Sequence, residues 1–145
     1  ILEYYKIDIR SKHIVVIGRS NIVGKPITSL LSQPFKVGNA TVTLCHSHTT
    51  NLSSYTKLAD IIISAVGKPN LITNDMVKNG CIILDVGINR INDSSDKGYH
   101  IVGDVDFPGL VEKASYITPV PGGVGPMTIS MLMHNTILAA ELSTE

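Results

Sequence analysis

Residues 14–26 read IVVIGRSNIVGKP, and this stretch decides the fold. Its first four residues are β-branched and apolar at successive positions, as in a strand that is buried on both faces of a parallel sheet. Gly18 then permits a tight turn, Gly24 lets a helix begin close to the strand, and Pro26 suits the first turn of that helix. The order of strand, turn and helix predicts the first half of a βαβ unit.

The same alternation of apolar runs and helical stretches continues along the chain. The other predicted strands lie at residues 41–45, 61–64, 82–86 and 116–118. The predicted helices lie at residues 25–32, 52–58, 74–77 and about 126–142, and the polar cluster at 92–98 is a predicted hairpin tip. We therefore predict an α/β fold: a Rossmann-like, doubly wound, mostly parallel sheet with helices on both faces.

The composition excludes several classes of protein. With 12 basic and 12 acidic side chains in 145 residues, the chain has no basic field for nucleic acid. The uncharged run at 114–140 is long enough to cross a bilayer, but six prolines and glycines in its first half break it. Cys45 and Cys81 are far apart with no CxxC, which indicates a reduced intracellular chain. We expect a piece of a longer protein, because the chain opens without methionine or a signal sequence.

The turn after the first strand is the first candidate binding site. At the carboxyl edge of a parallel sheet, backbone N–H groups and the helix dipole can receive a diphosphate. Arg19 could bind phosphate with two hydrogen bonds, and the Ser20 hydroxyl could add another. The spacing is not GxGxxG, so a structural turn beside a solvated Arg19 stays open as the alternative.

The end of the second strand bears on the choice of cofactor. NAD-binding sheets usually carry an acid there for the ribose hydroxyls, whereas residues 45–49 read CHSHT. Arg19, Ser47 and His48 at that corner suit a 2′-phosphate, which favours NADP over NAD. His46 and His48 form an HxH pair, but without further ligands at suitable spacing we favour an incidental pair and predict no metal.

Three later features could also belong to the site. Gly87 ends the fourth strand on the same edge, where it could line the nicotinamide pocket or form a plain turn. For Asp104 and Asp106 we favour capping or turn roles over acid–base catalysis, because neither a nucleophile nor a metal ligand is close. The loop at 118–128, TPVPGGVGPMT, combines glycines that allow close approach to a flat ligand with rigid prolines. So long and constrained a loop is predicted to be functional.

Taken together, these motifs resemble the bifunctional methylenetetrahydrofolate dehydrogenase/methenyltetrahydrofolate cyclohydrolase family. The matching motifs are GRS at 18–20, VGKP at 23–26, CHS at 45–47, DVGIN at 85–89, VGDV at 102–105 and TPVPGGVGPMT at 118–128. The resemblance covers essentially the whole chain. It implies the end of an interdomain linker helix at 1–12, an NAD(P)-binding Rossmann-like domain at 13–125, and at 126–145 a terminal helix that packs on an amino-terminal folate-binding domain.

The resemblance also implies an activity and a set of site residues. The family oxidises 5,10-methylenetetrahydrofolate to 5,10-methenyltetrahydrofolate and hydrolyses it to 10-formyltetrahydrofolate, in one-carbon metabolism that supplies purine biosynthesis. The residues implied to bind NADP are Gly18, Arg19, Ser20, Ser47 and Ile88. Those implied to face the folate are Pro121, Gly122, Gly123, Val124 and Gly125. The family's catalytic lysine lies in a Tyr-x-x-x-Lys motif that this chain lacks, so we expect no catalytic residue here and no turnover by the chain alone.

Expectations about partners and compartment follow from the same reading. The expected partners are tetrahydrofolate derivatives, the protein's own amino-terminal catalytic domain and a second copy in a homodimer, with no nucleic acid and no membrane. The expected compartment is the cytoplasm, and mitochondria are left open. The terminal helix is apolar around too much of its circumference for one core stripe, so the isolated chain should self-associate. Two alternatives stay open: the NAD-dependent branch of the family, and a non-catalytic nucleotide-binding module.

Overall fold

The computed structural model describes residues 1–35 and 37–144 and centres on a five-stranded parallel sheet, in the order β2-β1-β3-β4-β7. Its strands are β1 (His13–Ile17), β2 (Thr41–Cys45), β3 (Ile61–Ser64), β4 (Ile82–Asp85) and β7 (Tyr116–Ile117). A separate antiparallel pair, β5 (Asn89–Asn92) and β6 (Tyr99–Val102), forms the predicted hairpin. The helices are α1 (Gly24–Ser32), α2 (Leu52–Thr56), α3 (Phe107–Leu110) and α4 (Val124–Leu142).

The central strand β1 shows why the sheet is buried on both faces. Its side chains alternate, so that Val15 and Ile17 contribute to one hydrophobic core while Ile14 and Val16 contribute to the other. The first core also receives Leu52 of α2 and Leu110 of α3, and the second receives Leu31 of α1 and the apolar residues of the amino-terminal segment. The predicted doubly wound sheet with helices on both faces is therefore confirmed.

The topology places a crevice at the carboxyl ends of the strands. From β1 the chain crosses to β2 at one side and then returns to β3 at the other, so β1 has parallel neighbours on both edges. A reversal of this kind in a doubly wound sheet leaves the loops after the adjacent strands diverging, and ligands bind between them. The loops that follow β1, β2, β3 and β4 therefore form one edge.

Some local elements differ from the predicted ones. The stretch at 74–77 forms only a 3₁₀ turn, Asn74–Met76. The four-residue α3 was not predicted; it begins where the Asp106 carboxylate accepts a hydrogen bond from the Gly109 N–H. Residues 2–6 form turns, with one helix-type hydrogen bond from the Tyr5 N–H to the Ile1 carbonyl, 3.1 Å, where the end of a linker helix is expected.

Helix α4 is not covered by the rest of the described chain. None of its residues is buried, and Leu132 at its middle is 67% exposed. The helix begins two residues before the predicted start, and Glu145, the last residue of the predicted terminal segment, lies outside the described residues. Within residues 1–35 and 37–144, no helix is long and apolar enough to cross a membrane.

Candidate cofactor-binding site

The glycine turn after β1 brings the ends of three strands together. Gly18 has φ +115°, and its N–H donates to the carbonyl of Cys45 at the end of β2, 2.9 Å away. A Cβ on Gly18 would overlap the carbonyl oxygen of Ala65, just after β3. A Cβ on Gly24 would overlap the carbonyl oxygen of Gly18. Only glycine therefore fits at either position, and the backbone of the turn lies at the crevice.

The two polar residues of this turn are placed differently. The Ser20 Oγ accepts hydrogen bonds from the N–H groups of Val23 (3.0 Å) and Gly24 (3.4 Å), which fixes the approach to α1, and its own hydrogen stays free to donate. Arg19 is exposed and forms no hydrogen bond or ion pair with another described residue. The first turn of α1 has no acid, so the helix dipole is not opposed there. An anion would meet a free guanidinium and a hydroxyl donor.

Residues 46–49, after β2, form a turn that is closed by two hydrogen bonds. The Thr49 N–H donates to the His46 carbonyl (2.8 Å), and the His46 N–H donates to the Thr49 Oγ1 (2.9 Å). Ser47 and His48 are exposed at its tip, and the His48 N–H donates to Nδ1 of His46 (3.2 Å). The described residues contain no group of three His, Cys, Asp or Glu side chains that could hold a metal ion.

A cavity of about 380 Å³ lies beyond β4, on the other side of the crevice. We call it the Ile88 cavity. It is lined by residues 85–88, Ile101, residues 119–126 and Thr128. Ile88 is 69% exposed, and all five residues implied to face the folate, Pro121 to Gly125, line the same cavity. The structure thus brings Ile88 and these five together, while Gly18, Arg19, Ser20 and Ser47 lie outside the cavity, at the ends of β1 and β2.

Two buried carboxylates are associated with the Ile88 cavity: Asp85, which lines it, and Asp104, which does not. The Asp85 carboxylate accepts hydrogen bonds from the N–H groups of Gly87 (2.9 Å), Asp104 (3.0 Å) and Val105 (2.9 Å). Burial raises the pKa of Asp85, and these three N–H groups oppose that rise. A Cβ on Gly87 would overlap the Asp104 carboxylate, and a Cβ on Gly103 would overlap that of Asp85. Glycine at both positions lets the two loops interlock.

The roles of the two later aspartates were only partly predicted. Asp106 caps α3, as the capping interpretation expects. Asp104 does not cap a helix: its side chain is completely buried and accepts five hydrogen bonds from two segments of chain, residues 64–68 and Asn89. In the sequence, Gly87 follows Asp85 by two residues and Gly103 directly precedes Asp104, and each aspartate ends or follows a strand. This pairing of glycine with aspartate was the signal from which the interlock could have been predicted.

An open parallel sheet with a glycine turn after β1 and a crevice at its carboxyl edge defines a Rossmann-type nucleotide-binding domain. Comparison with known families makes the assignment specific. The chain belongs to the family described as tetrahydrofolate dehydrogenase/cyclohydrolase, NAD(P)-binding domain, whose model matches residues 1–144.

Individual relatives agree with this assignment. The bifunctional protein FolD of Chlorobium chlorochromatii is 58% identical over 138 residues, which cover 94% of this chain and 47% of the relative. The crystal structure of the bifunctional enzyme FolD from Campylobacter jejuni has a TM-score of 0.88 and 53% identity, and covers 98% of this chain and 47% of that one. The Trypanosoma brucei enzyme, solved with NADP cofactor and inhibitor, has a TM-score of 0.90 and 40% identity, with 99% and 48% covered. The chain thus spans about half the length of the relatives it matches.

Proposed function

We propose that this chain is the NADP-binding domain of an enzyme that oxidises 5,10-methylenetetrahydrofolate to 5,10-methenyltetrahydrofolate and hydrolyses that product to 10-formyltetrahydrofolate. The observation that carries the proposal is the Ile88 cavity, because Gly87, which could line the nicotinamide pocket, Ile88, which is implied to bind NADP, and the loop implied to face the folate all line it. Hydride transfer requires the nicotinamide ring of the cofactor to be in contact with the folate. The cofactor supplies the hydride chemistry, and this domain orients the cofactor.

The proposed phosphate contacts lie at the other side of the crevice. Gly18 lets the diphosphate approach the backbone, and Ser20 donates a hydrogen bond to it. Arg19 and Ser47 bind the 2′-phosphate, which is supported by the free guanidinium and by the absence of a carboxylate at residues 46–49. The Trypanosoma brucei relative, solved with NADP, supports the choice of cofactor.

The proposed folate contacts come from backbone rather than from acid–base side chains. Residues 121–125 present glycine and proline to the cavity, and Gly122 has φ +101°. A surface of this kind can lie against a flat pteridine ring but cannot donate or accept a proton through a side chain. We therefore assign no catalytic residue to residues 1–145 and expect no folate turnover by this chain alone.

Calorimetry with Arg19→Ala tests the proposed cofactor. The variant should lose affinity for NADP by about tenfold or more, the value of a charge-assisted phosphate contact, and change little toward NAD. Arg90→Ala is the matched control, because the Arg90 guanidinium stacks 3.7 Å from the Tyr99 ring on the hairpin instead. Equal affinities of the unaltered chain for NADP and NAD would remove the basis for the 2′-phosphate contact. Binding of NAD that depends on added phosphate would favour the NAD-dependent branch.

The partners of α4 form the second part of the proposal. We propose that α4 packs on the amino-terminal domain of the whole protein, that this protein is a homodimer, and that it works in the cytoplasm. The support is the exposed apolar surface of α4, together with two cysteines that are both free. Sedimentation velocity should show concentration-dependent self-association of the isolated chain. A monomer at all concentrations would contradict the role assigned to α4.

A further inference from the structure

The exposed Ile88 is held from both sides by buried carboxylates. The Gly87 N–H, one residue before it, donates to Oδ1 of Asp85 (2.9 Å). The Asn89 side-chain amide, one residue after it, donates to Oδ1 of Asp104 (2.9 Å). The position of the Ile88 backbone in the cavity therefore depends on two acceptors that solvent does not reach, since Asp85 is 3% exposed and Asp104 is 0% exposed.

Asp104 also holds the loop that follows the neighbouring strand β3. Its Oδ2 accepts hydrogen bonds from the N–H groups of Val66 (2.7 Å) and Gly67 (3.2 Å), and its Oδ1 accepts one from the N–H of Lys68 (3.0 Å). The hydroxyl of Ser64, the last residue of β3, lies 3.3 Å from Oδ2. One carboxylate therefore links the ends of β3 and β4, the two strands at the half of the crevice where the proposed function places the nicotinamide.

Asp85 and Asp104 are joined by a hydrogen bond, and no cationic side chain among the described residues pairs with either carboxylate. The N–H of Asp104 donates to Oδ1 of Asp85, the same atom that accepts the Gly87 N–H. No ion pair among the described residues involves either aspartate. Backbone N–H groups and neutral side chains surround the negative charge, an arrangement that depends on geometry because each donor must point at an oxygen.

The phosphate side of the crevice is not held by these two carboxylates. The Gly18 turn is held by the Cys45 carbonyl and the Ser20 hydroxyl, and the turn at 46–49 is held by His46 and Thr49. None of the hydrogen bonds to Asp85 or Asp104 comes from these turns. The Gly18 turn packs against Ala65 and Val66 of the loop that Asp104 holds, but the Ala65 N–H is bonded to the carbonyl of Ile17 (2.8 Å) and not to a carboxylate. Disturbing the carboxylates should therefore affect the nicotinamide half of a dinucleotide more than the other half.

We propose that Asp104, supported by Asp85, is a positioning residue for the nicotinamide half of the cofactor. This inference rests on the proposed function. Asp104 fixes the distance between the loops after β3 and β4, and with Asp85 it fixes Ile88 between them. The adenosine and phosphate half binds at β1 and β2, where no backbone or side-chain group is hydrogen-bonded to either carboxylate.

The variant Asp104→Asn tests this role with two ligands on the 145-residue chain. In either orientation the asparagine places an NH₂ group against at least two N–H or hydroxyl donors, so the two loops must separate. We expect calorimetry to show NADP binding weakened by about tenfold, and binding of adenosine 2′,5′-bisphosphate, which lacks the nicotinamide half, changed by less than about twofold. Amide exchange should become faster at Val66, Gly67 and Lys68 and stay unchanged at Gly18.

Two further variants separate positioning from folding. Asp106→Asn is the matched control: asparagine caps helices as well as aspartate does, so both ligands should bind as before. Asn89→Ala removes one of the five donors to Asp104 and leaves the others, so it serves if Asp104→Asn does not fold. It should weaken NADP binding by about threefold, again without affecting adenosine 2′,5′-bisphosphate.

Each outcome has a distinct meaning. Loss of affinity for NADP alone supports the positioning role. An equal loss for both ligands in folded protein shows a merely structural role, and unchanged binding of both shows no role; either result overturns the inference and leaves the proposed function intact. Failure of the unaltered chain to bind NADP would overturn the proposed function, and the inference with it.

Discussion

The first and last helices of this chain begin alike and pack in opposite ways. Helix α1 has Gly24 and Pro26 in its first turn, and α4 has Gly125 and Pro126. Yet α1 lies on the sheet with Leu31 buried, at 4% exposure, whereas α4 has no buried residue although it is the more apolar helix. The sequence of a helix therefore does not decide its burial, which depends on whether the chain supplies a surface to cover it.

The two helices also differ in how their apolar residues are distributed around the helix axis. Apolar residues of α1 form a stripe that one core accommodates, as in an ordinary surface helix. Apolar residues of α4 surround the helix, which is typical of a helix buried by more than one partner surface. We interpret α1 as part of the domain's own fold and α4 as part of an interface.

The strongest test of this contrast truncates one leucine on each helix. Leu31→Ala should lower the free energy of unfolding by about 3 kcal/mol, because it leaves a cavity in the core beneath α1. Leu132→Ala should change it by less than about 0.5 kcal/mol, because Leu132 is exposed. Urea denaturation followed by circular dichroism measures both values. Similar losses for the two variants would show that α4 packs on the domain after all.

The two glycines provide a second, smaller contrast. Gly24→Ala should cost about 2 kcal/mol, because the added methyl group overlaps the Gly18 carbonyl and the backbone must move. Gly125→Ala has no heavy atom within 4 Å of the new Cβ, so we expect no loss of stability. Thermal unfolding distinguishes them. A tolerated Gly24→Ala would mean that the turn after β1 is looser than the structure shows.

The smallest expected effect concerns the ion pair between Asp60 and Lys78, which lies beside the sheet and has no counterpart among the described residues of α4. Asp60 accepts hydrogen bonds from Lys78 (2.6 Å) and from the His13 N–H (2.8 Å), and these partners, Lys78 first, lower its pKa below the usual 3.8. Its contribution is therefore present above pH 3.8 and is lost as the pH falls through the lowered value in the folded chain. Among the described residues no ion pair involves α4.

Replacement of Asp60 checks this pH dependence. Because the pair is partly exposed, Asp60→Asn should cost less than about 1 kcal/mol at pH 7. The difference from the unaltered chain should shrink below pH 3.8. Urea denaturation at pH 7 and at about pH 3 measures it. A difference that stays constant or grows toward acid pH would contradict the assigned pKa direction.

Most of the sheet could be predicted because apolar strands and glycine turns are local signals. The second and third strands, at 41–45 and 61–64, match the observed bounds, and β1 and β4 differ by one residue. The miss at α3 has a physical reason: four residues carry no periodic pattern, and the helix depends on the Asp106 cap. The stretch at 74–77 is long enough for one helical turn, but three of its four residues, Asn74, Asp75 and Val77, are poor helix formers, and only a 3₁₀ turn results.

The candidate site was less predictable because it depends on contacts between distant residues. Gly18, Ser20 and the 118–128 loop could be chosen from local chemistry. The Asp104 hydrogen bonds to residues 64–68 join positions almost 40 residues apart, and no local pattern reports them. The exposure of Ile88 between two anchored neighbours likewise follows from the folded arrangement alone.

The strand order has a consequence for folding kinetics. Every pair in the five-stranded sheet is parallel, and the partners of β1, which begins at residue 13, begin only at residues 41 and 61. Among the described strands, only β5 and β6 pair across a short loop. Parallel pairing of this kind folds slowly, since loop entropy is lost before contacts form. The edge that receives a dinucleotide exists only when β1 to β4 are all in place. A bound cofactor should therefore slow the unfolding of this chain without speeding its folding.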